Sequence, residues 1–138
     1  LHAADGGKAW TVNLQKDFDG KMMSGWRWSE SPLVDGESVI CTPGGAKGTV
    51  LALSRKTGKK LWQTSEWTDP TGYSSVIIAT INGTRQYLQL TGKSLAAIVR
   101  LSKGTPAFLA VSMRSSNFRK LAAIAPKSSL SLGCSLEE

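Results

Sequence analysis

Four acidic residues in the first part of the chain are the candidates for chemistry. Asp17, Asp19 and Gly20 form an Asp-x-Asp-Gly stretch, and Glu30 and Asp35 follow within 20 residues. Asp-x-Asp-Gly can open a calcium loop, but Ca²⁺ takes about six to eight oxygens, with a bidentate acid closing the loop. The positions after Gly20 are Lys21, Met22, Met23, Ser24 and Gly25, so no closing acid follows. An acidic turn between lysines is the simpler reading, and Asp17, Asp19, Glu30 and Asp35 become a metal set only if the fold gathers them. Trp26 and Trp28 flank Arg27. On a strand they would point to opposite faces, one into a core and the other free to stack on a sugar or base. Met22 and Met23 read as loop packing.

Other chemistries are poorly supplied. His2 is the one histidine, and no Gly-x-Ser-x-Gly elbow is present, so a Ser–His nucleophile pair has little to build on. Cys41 and Cys134 are the two cysteines, too few for a disulfide framework or a thiolate metal cage. Asn82-Gly83-Thr84 fits a glycosylation sequon, but Asn-Gly is better read as a hairpin turn.

Seventeen Lys and Arg against ten Asp and Glu give a net charge of +7. The excess sits near the C-terminus, where residues 99–136 carry six basic residues and no acid. A solvated basic tail explains this, and binding to nucleic acid is not expected. The 138 residues, 41% of them apolar, suit one domain or two very small ones. No apolar run is long enough to span a membrane. The start, Leu1-His2-Ala3-Ala4-Asp5, lacks the basic and apolar regions of a signal peptide, so a mature form or a fragment is expected.

The elements that would position these residues repeat. Ser31 and Ser75, Gly48 and Gly92, and Ala52 and Ala96 are each separated by 44 residues. Gly6 to Trp10 resembles Gly58 to Trp62 with an offset of 52 between the tryptophans, which places an eight-residue insertion at Lys16–Met23, read as a loop. Strands are predicted at Leu33–Val34, Ser38–Thr42, Gly48–Leu53, Lys60–Thr64, Tyr73–Ile81 and Gln86–Leu90. Asp35-Gly36, Lys56–Lys59 and Asn82-Gly83 are the turns between them. Four short strands per ~44 residues is the pattern of a propeller blade.

Ser-Pro-Leu-Val-Asp-Gly (31–36), followed by Gly-Thr-Val-Leu-Ala-Leu-Ser-Arg-Lys-Thr-Gly-Lys-Lys-Leu-Trp (48–62), resembles the PQQ-like β-propeller repeat family. The Lys-Met-Met-Ser-Gly-Trp and Gln-Leu-Thr-Gly-Lys-Ser stretches resemble secreted environmental-bacterial members. The resemblance covers residues 1 to about 98. It implies an all-β fold of four-stranded antiparallel blades, about two in this chain. It gives Gly58 and Gly6 the positive-φ turn position and Trp62 and Trp10 the wedge between blades, with Gly48 and Gly92 as strand landmarks. Ser54 stands where the family prefers Asp, which leaves a weaker turn cap. The resemblance is to repeat shape: the aromatic stack and Ca²⁺ ligands of a true quinoprotein are not assembled, so no PQQ and no other cofactor is expected, Ca²⁺ being the one ion the acids could serve.

The repeat stops near Val99. Residues 99–138 read as a divergent basic tail, with loose helical spacing of Phe108, Val111, Phe118, Leu121 and Ala122 predicting a helix over 107–124. The resemblance implies a propeller that closes with about six to eight blades, where propellers in general take about four to eight, so two blades would leave open faces. A homo-oligomer that closes a propeller-like ring is expected, with a secreted or periplasmic location by resemblance. Two functions follow. One is a non-catalytic module for scaffolding or for binding a ligand or protein. The other is a Ca²⁺-dependent propeller hydrolase such as a lactonase, with Asp17, Asp19, Glu30 and Asp35 brought together in an oligomer.

Overall fold

The computed structural model describes residues 1–2, 4–101 and 107–113. It contains a short helix, α1 (Leu14–Phe18), and eight strands: β1 (Leu33–Asp35), β2 (Ser38–Cys41), β3 (Leu51–Ser54), β4 (Lys60–Gln63), β5 (Ile77–Ile81), β6 (Thr84–Leu90), β7 (Leu95–Leu101) and β8 (Ala107–Met113). They form two four-stranded antiparallel meanders, β1-β2-β3-β4 and β5-β6-β7-β8. These are two propeller blades, each with its strands side by side in sequence order.

The turns follow from local chemistry. Asn82 (φ 51°) and Gly83 (φ 74°) both take the left-handed region, which a two-residue type I′ turn requires. That turn holds β5 and β6 in register from Ile81↔Thr84 to Ile77↔Leu88. In the β3–β4 turn, Gly58 has φ 68° and donates its N–H to the Ser54 carbonyl at 2.8 Å. The Ser54 hydroxyl accepts from the Thr57 N–H at 3.3 Å, a long bond where a carboxylate would accept more strongly.

β3 is buried on both faces, so its sequence reads as a continuous apolar run. Val50 and Ala52 join Ile40 and Trp62 against Val76, Tyr87, Ala96 and Ile98 of the second blade, with Trp67 of the connecting segment filling the same core. Leu51, Leu53 and Cys41 face the other way and are covered by Trp10, Val12, Leu14 and Phe18. The N-terminal segment is therefore a layer of its own over the first blade.

Two expectations need correction. The Lys16–Met23 insertion is not simply a loop, because its first residues complete α1. The Asn13 side chain caps the Lys16 N–H at 2.9 Å, and the Asp17 carboxylate accepts the Asn13 N–H at 2.7 Å. This reciprocal box starts the helix and places Leu14 and Phe18, four apart, on its covered face. The predicted helix over 107–124 is instead a strand at Ala107–Met113, paired with β7 from Leu95↔Met113 to Leu101↔Ala107. A mostly apolar run of this kind suits either state, and a seven-residue ladder on the edge of β7 decides it. Residues 114–124 of that expectation lie outside the described residues.

A second link joins the blades. Arg85 on β6 makes a bidentate pair with Asp35 on β1, at 2.9 and 2.8 Å, and the Tyr87 hydroxyl donates to the same carboxylate at 2.5 Å. The Arg85 guanidinium also lies 5.8 Å from the Tyr87 ring centroid. The half-exposed ion pair alone is worth up to about 1 kcal/mol. Removing the acceptor of a buried phenol costs about 1–3 kcal/mol more. Asp35→Ala should thus lower the urea midpoint clearly, and Asp35→Asn, which keeps an acceptor oxygen, should lower it less. Equal losses in the two variants would show that the carboxylate's hydrogen-bond acceptor is not what matters.

Candidate functional site

Four loops meet at one end of the two blades: residues 19–32, 42–50, 64–76 and 91–94. Backbone bonds stitch them together. Lys21 N–H donates to Pro43 O, Thr71 N–H to Lys21 O and Met23 N–H to Thr71 O, each at 2.9 Å. The glycines permit the close approach: a Cβ at Gly44, whose φ is 69°, would lie 2.4 Å from the Thr71 nitrogen. The Met23 thioether rests on Gly92, where a Cβ would meet its Cε at 2.7 Å.

The connector between the blades is bolted to both. Thr49 Oγ1 donates to the carbonyls of Trp67 and Asp69 at 3.0 Å. The Asp69 carboxylate accepts from Ser94 Oγ at 2.5 Å and Thr91 Oγ1 at 3.0 Å, and Trp67 Nε1 donates to Ser94 Oγ at 3.1 Å. Partial burial alone would raise the Asp69 pKa, but the bonds from Ser94 and Thr91, with the nearby Trp67 N–H and the Lys93 charge, outweigh it and hold the carboxyl below its ordinary value.

On this rigid end stands an apolar patch. Trp26 is 78% exposed, and Met23 and Tyr73 are also exposed. The Ser24 hydroxyl is hydrogen-bonded to the Tyr73 hydroxyl and accepts the Trp26 N–H at 3.2 Å, which ties the two aromatics to one point. Trp28 behaves differently: it is half-buried and donates from Nε1 to the Thr42 carbonyl at 3.1 Å. Residues 26–28 are irregular backbone and not the expected strand, so Trp26 and Trp28 differ in burial for a reason other than strand alternation.

The four acids are not brought together. Asp17 belongs to the α1 capping box, and Asp19 is the left-handed residue that ends that helix. Asp35 is engaged by Arg85 and Tyr87. Glu30 Oε1 accepts the Thr42 N–H at 2.5 Å, while its Oε2 is buried and without a hydrogen-bond partner. Burial raises the Glu30 pKa against the lowering effect of the Thr42 bonds. Among the described residues no group of three or more His, Cys, Asp or Glu side chains could hold a metal ion. His2 is exposed, and its backbone closes the turn at Gly6, whose φ is 69°.

Cys41 is buried and free, and burial, with the Glu30 charge second, pushes its thiol up to about 12. At pH 8 only about 10⁻⁴ of it would be thiolate, the reactive form. In a Cys134→Ser background, native protein should therefore resist iodoacetamide at pH 8, and urea-unfolded protein should react. Fast labelling of the native state would refute this burial.

The repeat residues have clear places. Trp62 is buried between the blades, its ring centroid 6.1 Å from that of Tyr87. Trp10 lies on the turn at Gly58, where a Cβ would be 2.7 Å from its ring, and donates from Nε1 to the Arg55 carbonyl at 2.8 Å. Gly48 and Gly92 lie within the β2–β3 and β6–β7 loops, just before β3 and β7. Sequence reasoning missed Tyr73, Arg85, Tyr87 and Asp69. None carries a local motif, since each side chain is hydrogen-bonded to a distant one: Tyr73 to Ser24, Arg85 and Tyr87 to Asp35, and Asp69 to Thr91 and Ser94.

No helix among the described residues is long and apolar enough to cross a membrane. No curated protein and no solved structure matches the chain. The model of one protein family, described as outer membrane protein assembly factor BamB, matches residues 1–121. With that span, the 44-residue repeat and two four-stranded meanders in agreement, the chain belongs to the PQQ-like β-propeller repeat family.

Proposed function

We propose that the chain is a non-catalytic propeller-repeat module that binds a partner protein through its loop end. The observation that carries this reading is the exposed patch of Trp26, Met23 and Tyr73 on a hydrogen-bonded base. Trp, Tyr, Met and Arg are the residues enriched at protein interfaces, and Arg27 adjoins the patch. A large aromatic side chain held in water forgoes about 1.5–3 kcal/mol of burial that a partner can supply. The description of the matched family as an assembly factor supports protein binding, and its members' usual extracellular or periplasmic setting supports the same location here.

A photo-reactive phenylalanine analogue placed at position 26 or 73 in cells tests this. Both positions should capture the same species, and the exposed positions Val34 and Leu61 should not. Capture of nothing at 26 and 73, or the same capture at all four, would rule the reading out.

A further inference from the structure

The pairing of β1 with β2 stops at Leu33↔Ile40. In a continued ladder Ser31 would face Thr42. Instead the Ser31 N–H crosses to the second blade and donates to Ser75 Oγ at 2.8 Å. Side chains of the same segment take both backbone groups of Thr42. Trp28 Nε1 donates to its carbonyl at 3.1 Å, and Glu30 Oε1 accepts its N–H at 2.5 Å. This clamp closes the loop that carries Trp26, and it puts one carboxyl in an unusual setting. Glu30 Oε2 is buried without a hydrogen-bond partner. So is the hydroxyl of Thr42, a residue that is 0% exposed and whose side chain adjoins the carboxyl. No Lys, Arg or His among the described residues pairs with Glu30. The titratable group that faces it is the buried Cys41 thiol, which stays neutral wherever a carboxyl titrates. A buried carboxylate with no cation is costly, and it escapes by taking a proton or by reaching water. With a proton on Oε2, the orphaned oxygen becomes a donor beside a hydroxyl that can accept.

We propose that the Glu30–Thr42 clamp is a proton-operated latch, closed while Glu30 Oε2 carries a proton and released when that proton leaves to solvent. Closed, Glu30 and Trp28 together hold Thr42 where β1 no longer pairs with it. Released, the carboxylate turns to water, the Thr42 N–H loses its acceptor, and Trp28, two residues back, loses its fixed place at the Thr42 carbonyl. The loop end is then firm in acid and looser toward alkaline pH. Burial outweighs the Thr42 bonds and holds the Glu30 carboxyl above its ordinary value, so it keeps its proton after exposed carboxyls have lost theirs. A proton held more tightly by the folded chain than by the unfolded one stabilises fully below the unfolded pKa. That stability is lost as pH rises through the folded pKa. The latch does not depend on what the exposed patch binds.

Carbon-detected carboxyl spectra of the parent chain over a pH series test the latch. The Glu30 signal should titrate above the ordinary glutamate value of about 4.3. The Trp28 indole N–H signal should shift with the same midpoint, and that of Trp62 should not. Glu30→Gln keeps Oε1 as an acceptor and puts a permanent donor in place of Oε2, so it holds the latch closed at every pH. In that variant the Trp28 signal should not follow pH. Urea denaturation of both proteins gives the second readout. The folding constant of the parent divided by that of the variant should fall by up to tenfold per pH unit between the unfolded and folded pKa of Glu30, and then level off. The other acids are common to both proteins and cancel in the ratio. The carboxyl titration needs the parent alone, so it decides even where the variant folds poorly. A Glu30 midpoint at or below the ordinary value, a ratio that is flat or rises with pH, or a Trp28 signal blind to the Glu30 midpoint would each overturn the proposal. The first is what a carboxylate secured by the Thr42 N–H alone would give.

Discussion

Trp62→Ala should lower the free energy of unfolding by about 3–5 kcal/mol, the range for removing a large aromatic from a packed core. Trp62 is 8% exposed and sits where the two blades meet, tilted 36° to the Tyr87 ring. Its neighbours in the core come from both sheets: Ile40, Val50 and Ala52 on one side, Val76, Ala96 and Ile98 on the other. Deleting the indole removes its transfer free energy and leaves a void that two hydrogen-bonded sheets cannot close without breaking their ladders. A small domain has about 5–15 kcal/mol in all, so the loss is large enough to uncouple the blades. Urea denaturation followed by far-ultraviolet circular dichroism is the measurement. Trp62→Phe should recover much of the loss, because a ring still fills the gap. If Trp62→Ala unfolds within about 1 kcal/mol of the parent, the blades do not depend on this wedge.

The same residue shows what a sequence can disclose. Trp62 and Trp10 stand four residues after Gly58 and Gly6, so a local spacing marks a turn and its wedge. Hairpins were legible for the same reason: Asn82-Gly83 and Asp35-Gly36 act through the backbone of one or two residues. Where the deciding partner is far away, the sequence was silent or misleading. Residues 107–113 form a strand because β7 offers an edge, not because of any period of their own. Asp17 looks like a metal ligand until Asn13 is seen to use its carboxylate, and Asp35 until Arg85 and Tyr87, 50 and 52 residues on, are seen around it. Trp26 and Trp28 looked like strand alternation. They differ because Thr42 offers a carbonyl to one and Ser24 holds the other's backbone on the outside.

Gly48→Ala should cost more than the same change at Gly92, although the two glycines are repeat equivalents. Gly48 has φ 122°, and a Cβ there would lie 1.5 Å from the Thr64 carbonyl oxygen and 2.7 Å from its carbon. Those atoms belong to backbone that the blade cannot move, since Thr64 N–H donates to Val50 O at 2.9 Å and Val50 N–H to Thr64 Oγ1 at 3.1 Å. Backbone strain at such a φ costs about 1–3 kcal/mol, and forced overpacking about 1–3 more. At Gly92 the obstruction is the end of Met23, with Cε at 2.7 Å and Sδ at 2.8 Å, and no positive φ is required. A methionine has three rotatable side-chain bonds and swings aside at small cost, so Gly92→Ala should lose about 1 kcal/mol or less. It should instead disturb the exposed patch, because Met23 must leave its place over Gly92. Denaturation midpoints for the two variants, with Trp26 near-ultraviolet signals as a local readout, separate the effects. A stability loss at Gly92 equal to that at Gly48 would mean that Met23 is as fixed as backbone, and that the loop end is part of the core and not a surface laid on it.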